Sequence, residues 1–261
     1  MSEAEYVALG SSFAAGPGLP PRADGSPRRS GRSAVNYAHL YAASAGLRLR
    51  DVTFSGATTA DLLSVSARGV PAQLDAVTPA TRLVTMSIGG NDIGYLGTLA
   101  LGSLPSPVRR LPRIRRRLAD ALDAGTVDAR FDAMSARLHD VLRRVRTVAP
   151  QARVILVDYL TILPPLDAEV DLGALPQSTS DWGRSITSRM TSAFRSVAGK
   201  AGCELLPAAE ASRDHHAWSP EPWTRRFRYG SRDGAPYHPN AAGMRAVARM
   251  LEEHVGNGTP R

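Results

Sequence analysis

The sequence predicts a single α/β domain built on a parallel sheet. Short apolar runs bounded by Gly, Pro or Arg alternate with longer stretches of helical periodicity, and no Pro/Gly/Ser-rich linker divides residues 1–261 into two halves. Strands separated by helices form right-handed crossovers, which place helices on both faces of a parallel sheet. Ligand sites in such sheets lie beyond the carboxyl ends of the strands, so chemistry is expected in the residues that follow each strand.

The elements follow from local patterns taken in chain order. Strands are predicted at 6–10, 49–54, 83–89, 153–159 and, with the weakest pattern, 203–209. Helices are predicted at 33–46, 58–67, 127–148, 180–201 and 240–255. Gly46 suits a helix C-cap, Pro150 ends a helix and Asn240 suits an N-cap, so these residues support the helix boundaries.

Three long segments interrupt the alternation and are predicted to be loop insertions. They cover about 17–33, 94–125 and 210–237. Long loops in a compact domain usually serve function or are disordered, so we expect these three to build the substrate pockets. The arginine-rich stretch 109–117 within the second is typical of a solvated helix face, and it could also attract anionic substrates or lipid surfaces.

Composition excludes several classes of site. The formal net charge is +8, but only Lys200 among the 32 basic residues is a lysine, which indicates a coding bias toward GC-rich codons rather than selection for phosphate binding. We therefore expect no nucleic-acid partner. Cys203 is the single cysteine, so neither an intrachain disulfide nor a cysteine-rich metal site can form.

The chain shows no membrane or secretion signal. No apolar run approaches the roughly 18 residues that span a bilayer. Glu3 and Glu5 stand where a secretory signal would carry Lys or Arg. The expectation is a cytoplasmic protein, or a secreted one whose signal has been removed, and a monomer.

Small polar residues follow the predicted strands. They are Gly10-Ser11-Ser12, Ser55-Gly56-Ala57, Gly89-Gly90-Asn91-Asp92 and, near the C-terminus, His238-Pro239-Asn240. A serine hydroxyl becomes a nucleophile when a histidine takes its proton. Backbone N–H groups at glycine turns and an Asn amide can stabilise the oxyanion that results. Together these groups are suited to acyl transfer.

These four blocks resemble those of the SGNH hydrolases, also called GDSL-type esterases or lipases. The family carries Ser, Gly, Asn and His in that chain order, and here the blocks read ALGSSFAAG, FSGATTADL, SIGGNDIGY and HPNAAGM. The G-x-S-x-G motif of the commoner α/β-hydrolases is absent. The resemblance implies a flavodoxin-like three-layer α/β/α sandwich with a central parallel sheet of about five strands.

The resemblance also implies roles for individual residues. Ser12 matches the family nucleophile, and His238 matches the general base that later acts as acid. The backbone N–H groups of Ser12 and Gly56 and the side chain of Asn91 would form the oxyanion hole. Taken alone, Ser12 on a Gly-rich turn is more typical of a structural residue. Gly56 also fits a turn that requires a positive φ, and Asn91 also fits a helix N-cap.

Two positions depart from the family pattern. Ser11 replaces the Asp of the usual Gly-Asp-Ser signature, and Ala235 replaces the Asp that normally orients the histidine. Some members, especially actinobacterial esterases, use a main-chain carbonyl instead. We therefore expect the Ala235 carbonyl to orient His238 in a Ser–His dyad, with the Asp233 carboxylate as the alternative.

Other chemistry-bearing residues favour structural roles. His215 and His216 follow Asp214, but adjacent residues rarely point at one ion and no third ligand is obvious, so no metal site is predicted. Trp218 and Trp223 fit a packed loop and an acyl-pocket wall equally well.

The predicted function is hydrolysis of carboxylic esters through an acyl-enzyme, with no metal or organic cofactor. The substrate is expected to be a small-molecule or lipid ester. One alternative is a lipase or phospholipase. An alternative of another class is a non-catalytic module that binds anions or nucleic acid through the arginines.

Overall fold

The computed structural model describes residues 5–66, 69–228 and 233–256, which contain a five-stranded parallel sheet. Its strands are β1 (Tyr6–Gly10), β2 (Leu49–Asp51), β3 (Leu83–Ser87), β4 (Arg153–Val157) and β5 (Glu204–Leu206). They lie in the order β2-β1-β3-β4-β5, which is the order of flavodoxin-like folds. The predicted fold class, a parallel sheet of about five strands, is confirmed.

Helices connect the strands and cover both faces of the sheet. They are α1 (Ser12–Ala15), α2 (Tyr37–Ala45), α3 (Thr59–Leu63), α4 (Gly90–Ile93), α5 (Tyr95–Gly102), α6 (Ser106–Arg109), α7 (Pro112–Leu122), α8 (Ala124–Val148), α9 (Gln177–Ala201), α10 (Ala208–Ala211) and α11 (Ala241–Gly256). Right-handed crossovers put α2 on one face and α8 and α9 on the other. Accordingly α2 packs against α11, and α8 packs against α9.

The hydrophobic core is one continuous cluster of buried side chains, and its members come from positions between Tyr6 and Leu251. Every residue of β1 and β3 is buried, because helices cover both faces of the central strands. The apolar stripe of α8, which includes Met134 and Leu138, is also buried. This packing holds the ends of β1 and β3 in fixed positions beneath the candidate site.

Several element ends differ from the predicted boundaries because side chains cap them. Helix α8 begins at Ala124 rather than 127, since the Asp123 carboxylate accepts the Thr126 N–H at 2.8 Å. Strand β2 ends at Asp51 rather than 54, since the Asp51 carboxylate accepts the Thr53 N–H at 2.9 Å. The predicted helix 58–67 ends at Leu63 in the structure, and residues 67–68 lie outside the described part.

The prediction of a loop insertion at 94–125 is wrong, because most of that segment is helical in α5, α6 and α7. Pro112 occupies the first turn of α7, where a missing N–H costs nothing. Ile114 and Leu118 then recur four residues apart and are half-buried. The arginines between them are good helix formers, so the segment forms an amphipathic helix despite the prolines at 105, 107 and 112.

The other two predicted insertions are largely irregular. Residues 17–33 contain one 3₁₀ turn, Arg28–Ser30, and residues 210–237 contain another, Arg213–His215. Residues 229–232 of the second segment lie outside the described part. No helix among the described residues is long and apolar enough to cross a bilayer.

The strand order creates a switch point at β1 and β3. The chain leaves β1 toward β2 on one side, and later crossovers run from β3 toward β5 on the other. A crevice opens at the carboxyl ends of strands where the winding reverses in this way. The turns after β1 and β3 both lie at this crevice.

Candidate active site

The turn after β1 brings Ser12 to the switch point. Gly10 has φ 142°, and a Cβ at this position would lie 2.5 Å from the Ser87 carbonyl oxygen of β3, so the backbone requires glycine. The Ser11 N–H donates to the same Ser87 carbonyl at 3.0 Å. Ser12 then opens the short helix α1, where its N–H has no partner within the helix.

Ser12 and His238 form a hydrogen-bonded pair across the crevice. Ser12 Oγ lies 2.7 Å from His238 Nε2. His238 Nδ1 lies 2.7 Å from the Pro236 carbonyl oxygen, which can only accept, so Nδ1 carries the ring proton. Nε2 is therefore left to accept the proton of the Ser12 hydroxyl.

Burial of the imidazole keeps His238 neutral. Desolvation lowers the pKa of His238 to about 4 from an ordinary value of 6.5, and the Pro236 carbonyl acts in the opposite direction. At neutral pH the ring is therefore uncharged. A neutral imidazole can take a proton from a serine, which is what a general base requires.

The predicted orienting group is wrong by one residue. Pro236, rather than Ala235, supplies the carbonyl to Nδ1, while the Ala235 carbonyl accepts the His238 backbone N–H at 3.2 Å. The prediction placed the carbonyl where the missing Asp side chain would start. The backbone instead turns tightly through Tyr237, whose φ is 60°, and this presents the carbonyl two residues before the histidine. The carboxylate of Asp233 accepts the Ala241 N–H at 3.4 Å.

The three predicted oxyanion donors retain hydrogen-bonding capacity. Gly56 has φ 81°, and its N–H has no acceptor within the described part of the chain. The Asn91 side-chain nitrogen donates to the Ala57 carbonyl at 2.8 Å, which uses one of its two N–H groups. The Ser12 N–H is also without a helical partner. An amide, a turn N–H and a helix-start N–H therefore remain for a ligand oxygen.

Asp92, next to Asn91, connects the third sequence block, SIGGNDIGY, to the second, FSGATTADL, through hydrogen bonds. Its carboxylate accepts from the Thr59 N–H at 2.9 Å and from Thr59 Oγ1 at 2.5 Å. Arg137 of α8 lies 3.7 Å away. Burial raises the pKa of Asp92, and the Thr59 hydrogen bonds and Arg137 oppose that rise. These contacts fix the turn that carries Asn91 relative to the turn that carries Gly56.

Sequence reasoning missed two residues that hold the nucleophile turn. Gln73 accepts the Gly10 N–H at 2.8 Å and donates to the Gly10 carbonyl at 3.0 Å, and this carbonyl also accepts the Phe54 N–H at 3.0 Å. The Tyr159 hydroxyl accepts the Gly90 N–H at 2.9 Å and lies 3.4 Å from Ser11 Oγ. Tyr159 comes shortly after β4, so its strand-end position was the available signal.

The other residues considered from the sequence take structural roles. His215 Nδ1 lies 2.8 Å from the Glu221 carbonyl, and its ring stacks on Trp223 at 4.0 Å. His216 Nδ1 lies 3.1 Å from the Trp218 N–H, and the Arg226 guanidinium lies over the Trp218 ring. Within the described residues no group of three His, Cys, Asp or Glu side chains is placed to hold a metal.

A serine paired with a neutral histidine, at the switch point of a parallel sheet, has the geometry of a serine-type acyl hydrolase. A family model for the GDSL-like lipase/acylhydrolase family matches residues 8–246. The chain belongs to this family and is a carboxylic ester hydrolase. This assignment contradicts the alternative of a non-catalytic binding module.

Similar proteins come from Streptomyces. Lipase 2 of Streptomyces coelicolor is 33% identical over 266 residues, covering 97% of this chain and 86% of the relative. The phospholipase A1 structure from Streptomyces albidoflavus is 24% identical, has a TM-score of 0.77 and covers 97% of this chain and 99% of its own. The extracellular lipase structure from Streptomyces rimosus is 25% identical and has a TM-score of 0.74. The match covers 95% of this chain and 98% of the lipase.

Proposed function

We propose that Ser12 is the nucleophile of ester hydrolysis and that His238 is its base. Ser12 Oγ attacks the ester carbonyl carbon while its proton passes to Nε2 of His238. The tetrahedral intermediate collapses, the C–O bond to the alcohol breaks, and the alkoxide takes the proton from Nε2. Water then attacks the acyl-enzyme, gives a proton to Nε2, and the acid leaves as Ser12 recovers its hydrogen.

In this proposal three hydrogen-bond donors stabilise the oxyanion. They are the N–H groups of Ser12 and Gly56 and the remaining side-chain N–H of Asn91. Removing one such donor typically costs about 100- to 1,000-fold in kcat. The support is that each of these groups keeps an N–H without a protein acceptor in the described part of the chain.

The single observation that carries the proposal is the 2.7 Å contact between Ser12 Oγ and His238 Nε2, with Nδ1 held by the Pro236 carbonyl. The test is release of p-nitrophenol from short-chain p-nitrophenyl esters. Ser12→Ala should lower kcat/KM by at least about 1,000-fold. Ser11→Ala is the matched control, because Ser11 is the neighbouring buried serine and should keep activity within about tenfold.

Labelling with a fluorophosphonate gives an independent readout. Wild type and Ser11→Ala should take up one label, whereas Ser12→Ala should take up none. Equal ester turnover by wild type and Ser12→Ala, or labelling that survives in Ser12→Ala, would contradict the assignment.

A lipid ester is the second candidate substrate. The relatives described above are lipases and a phospholipase A1, which supports water-insoluble esters for this chain too. A cavity of ≈ 180 Å³ adjoins Gly56 and is lined by Phe54, Val70 and Pro71, which suits an acyl chain. A chain-length series measured with and without micelles separates the two: a lipase gains activity with micelles, and a soluble esterase does not.

We propose that the protein is cytoplasmic and monomeric, and each of these two proposals has its own test. A single cysteine permits no intrachain disulfide, which favours the cytoplasm, although the Streptomyces rimosus relative is described as extracellular. The described residues expose only four large hydrophobic side chains, Val65, Val108, Leu111 and Leu166, which is less apolar surface than a stable dimer interface needs and favours a monomer. Cell fractionation tests the first and sedimentation velocity the second.

A further inference from the structure

The segment 104–122, formed mainly by α6 and α7, is the most strongly cationic stretch of the chain. It contains six arginines between positions 109 and 117, and no carboxylate occurs from 93 to 119. Helix α7 has no fully buried residue and packs against α5 and α8. Its arginines therefore lie on an outer surface of the molecule.

Most of these arginines do not serve the fold. Arg109 donates to the carbonyls of Gly102 and Ala174, so it anchors the segment. Four of the arginines are exposed, and their side chains form no hydrogen bond or ion pair with another described residue: Arg110, Arg113, Arg115 and Arg117. The guanidinium of Arg116 is 3.9 Å from Asp120, a weak exposed pair. Four guanidinium groups thus remain for an external partner.

The same segment exposes aliphatic side chains beside these charges. Val108 is 37% exposed and Leu111 is 53% exposed, and both are among the few large hydrophobic residues exposed on the described surface. Exposed aliphatic residues next to arginines are the pattern of an element that lies at a lipid–water interface. No aromatic residue occurs from 104 to 122, so the segment lacks the rings on which nucleic-acid bases stack.

The segment starts at the edge of the candidate active site. Ser103, at the end of α5, is hydrogen-bonded to the Tyr237 hydroxyl, and Tyr237 directly precedes His238. Helix α5 itself begins just after the turn that carries Asn91. An external surface bound by segment 104–122 would therefore lie near the Ser12–His238 crevice.

We propose that segment 104–122 docks the protein on an anionic lipid surface. The unpartnered guanidinium groups bind lipid phosphates, and Val108 and Leu111 insert among the upper acyl carbons. Charge complementarity selects an anionic bilayer, and the exposed aliphatic pair selects lipid over nucleic acid. The docking surface is separate from the reacting atoms, so it can be tested in a protein without activity.

The experiment measures vesicle binding by Ser12→Ala, which removes turnover. Vesicles of phosphatidylcholine mixed with phosphatidylglycerol should bind the protein, binding should weaken as salt is raised, and pure phosphatidylcholine vesicles should bind far less. Adding Arg113→Gln, Arg115→Gln and Arg117→Gln should weaken binding to the mixed vesicles about 100-fold, at roughly 1 kcal/mol per arginine. Glutamine preserves helix propensity, so α7 should stay folded.

The matched control removes the same charge elsewhere. Arg144→Gln, Arg245→Gln and Arg249→Gln change three exposed arginines on α8 and α11 and should alter binding by no more than about threefold. For the apolar part, Leu111→Ser should weaken binding about tenfold, whereas Leu166→Ser, at a residue 75% exposed, should not.

Several outcomes overturn the proposal. Equal losses in the two arginine triples would assign binding to net charge alone. Equal binding to neutral and anionic vesicles, or no binding to either, would remove the lipid partner. Tighter binding to duplex DNA than to anionic vesicles would make the surface a nucleic-acid site. Failure of ester hydrolysis at Ser12 would appear with p-nitrophenyl acetate and would leave the vesicle result standing.

Discussion

At the scale of single residues, the proposed mechanism makes activity depend on the proton affinity of His238. Its pKa is lowered to about 4 by burial, so the imidazole loses its proton well below neutral pH. Only the neutral ring can accept the Ser12 proton. We expect kcat/KM for p-nitrophenyl acetate to be half-maximal at about pH 4 on the acid side and flat from about pH 6 upward.

The control for this profile is reversibility. The enzyme is held at each acid pH and then assayed at pH 7, where full recovery shows that the loss was protonation and not unfolding. A recovered enzyme whose acid limb falls near pH 6.5, the ordinary value for histidine, would contradict the burial argument.

The residue positions of the site were largely predictable, but their partners were not. Ser12 and His238 were predicted from four short blocks, and the structure brings their side chains within hydrogen-bond distance. The carbonyl of Pro236 was not predicted, because it depends on a tight turn at Tyr237 that no side-chain pattern reveals. Tyr159 was missed as well, since its contact with Ser11 spans 148 positions of sequence.

At the scale of elements, the end of β1 is held by a clamp from the 3₁₀ helix Gln73–Ala76. The Gln73 amide pairs with both backbone groups of Gly10, two residues before Ser12. Gln73→Met keeps the approximate volume but leaves the buried Gly10 N–H unpaired, whereas the Gly10 carbonyl still accepts the Phe54 N–H at 3.0 Å. We expect the free energy of unfolding to fall by about 1–3 kcal/mol and kcat to fall while KM changes little.

The matched control is Gln151→Met, because Gln151 is exposed. Its free energy of unfolding should stay within about 0.5 kcal/mol of wild type. Urea unfolding gives the stabilities, and ester hydrolysis gives kcat and KM. A Gln73→Met enzyme that is destabilised but has wild-type kcat would show that the clamp supports the fold without positioning Ser12.

The elements themselves were predicted best where apolar periodicity was strong. Strand β1 matches its predicted range, and α8 contains the whole of its predicted range. Segment 94–125 was misread because its prolines and arginines resemble a loop, whereas α7 is stabilised by packing against α5 and α8. Such contacts are tertiary, so the local pattern of 109–117 indicated a possible helix face but could not show where it packs.

At the scale of the whole molecule, two desolvated ionisable groups give opposite pH dependences of stability. Asp158 follows β4 and is 2% exposed, and its burial raises the pKa from an ordinary 3.8 to about 6. His238 has its pKa lowered from 6.5 to about 4. Between pH 4 and 6 the folded state thus holds a proton on Asp158 that the unfolded state releases, and lacks one on His238 that the unfolded state binds.

The signs of the two effects follow directly. Stability from His238 rises with pH, because the unfolded state binds the extra proton. Stability from Asp158 falls with pH, because the folded state binds it. Each proton difference changes the free energy of unfolding by about 1.4 kcal/mol per pH unit, so the two contributions nearly cancel between pH 4 and 6.

Removing one group should expose the contribution of the other. Asp158→Asn keeps one oxygen to accept the Tyr159 N–H and places an amide nitrogen that can donate to the Thr191 hydroxyl oxygen. It should match wild type near pH 4 but gain about 3 kcal/mol over it above pH 6. His238→Gln should behave in the opposite way: the free energy of unfolding of wild type should increase relative to that of the variant as pH rises from 4 to 6.5. Urea unfolding across this range measures both differences. Asp132→Asn, at an exposed carboxylate, should shift stability by a constant amount, and an equally constant shift in Asp158→Asn would refute the buried-charge account.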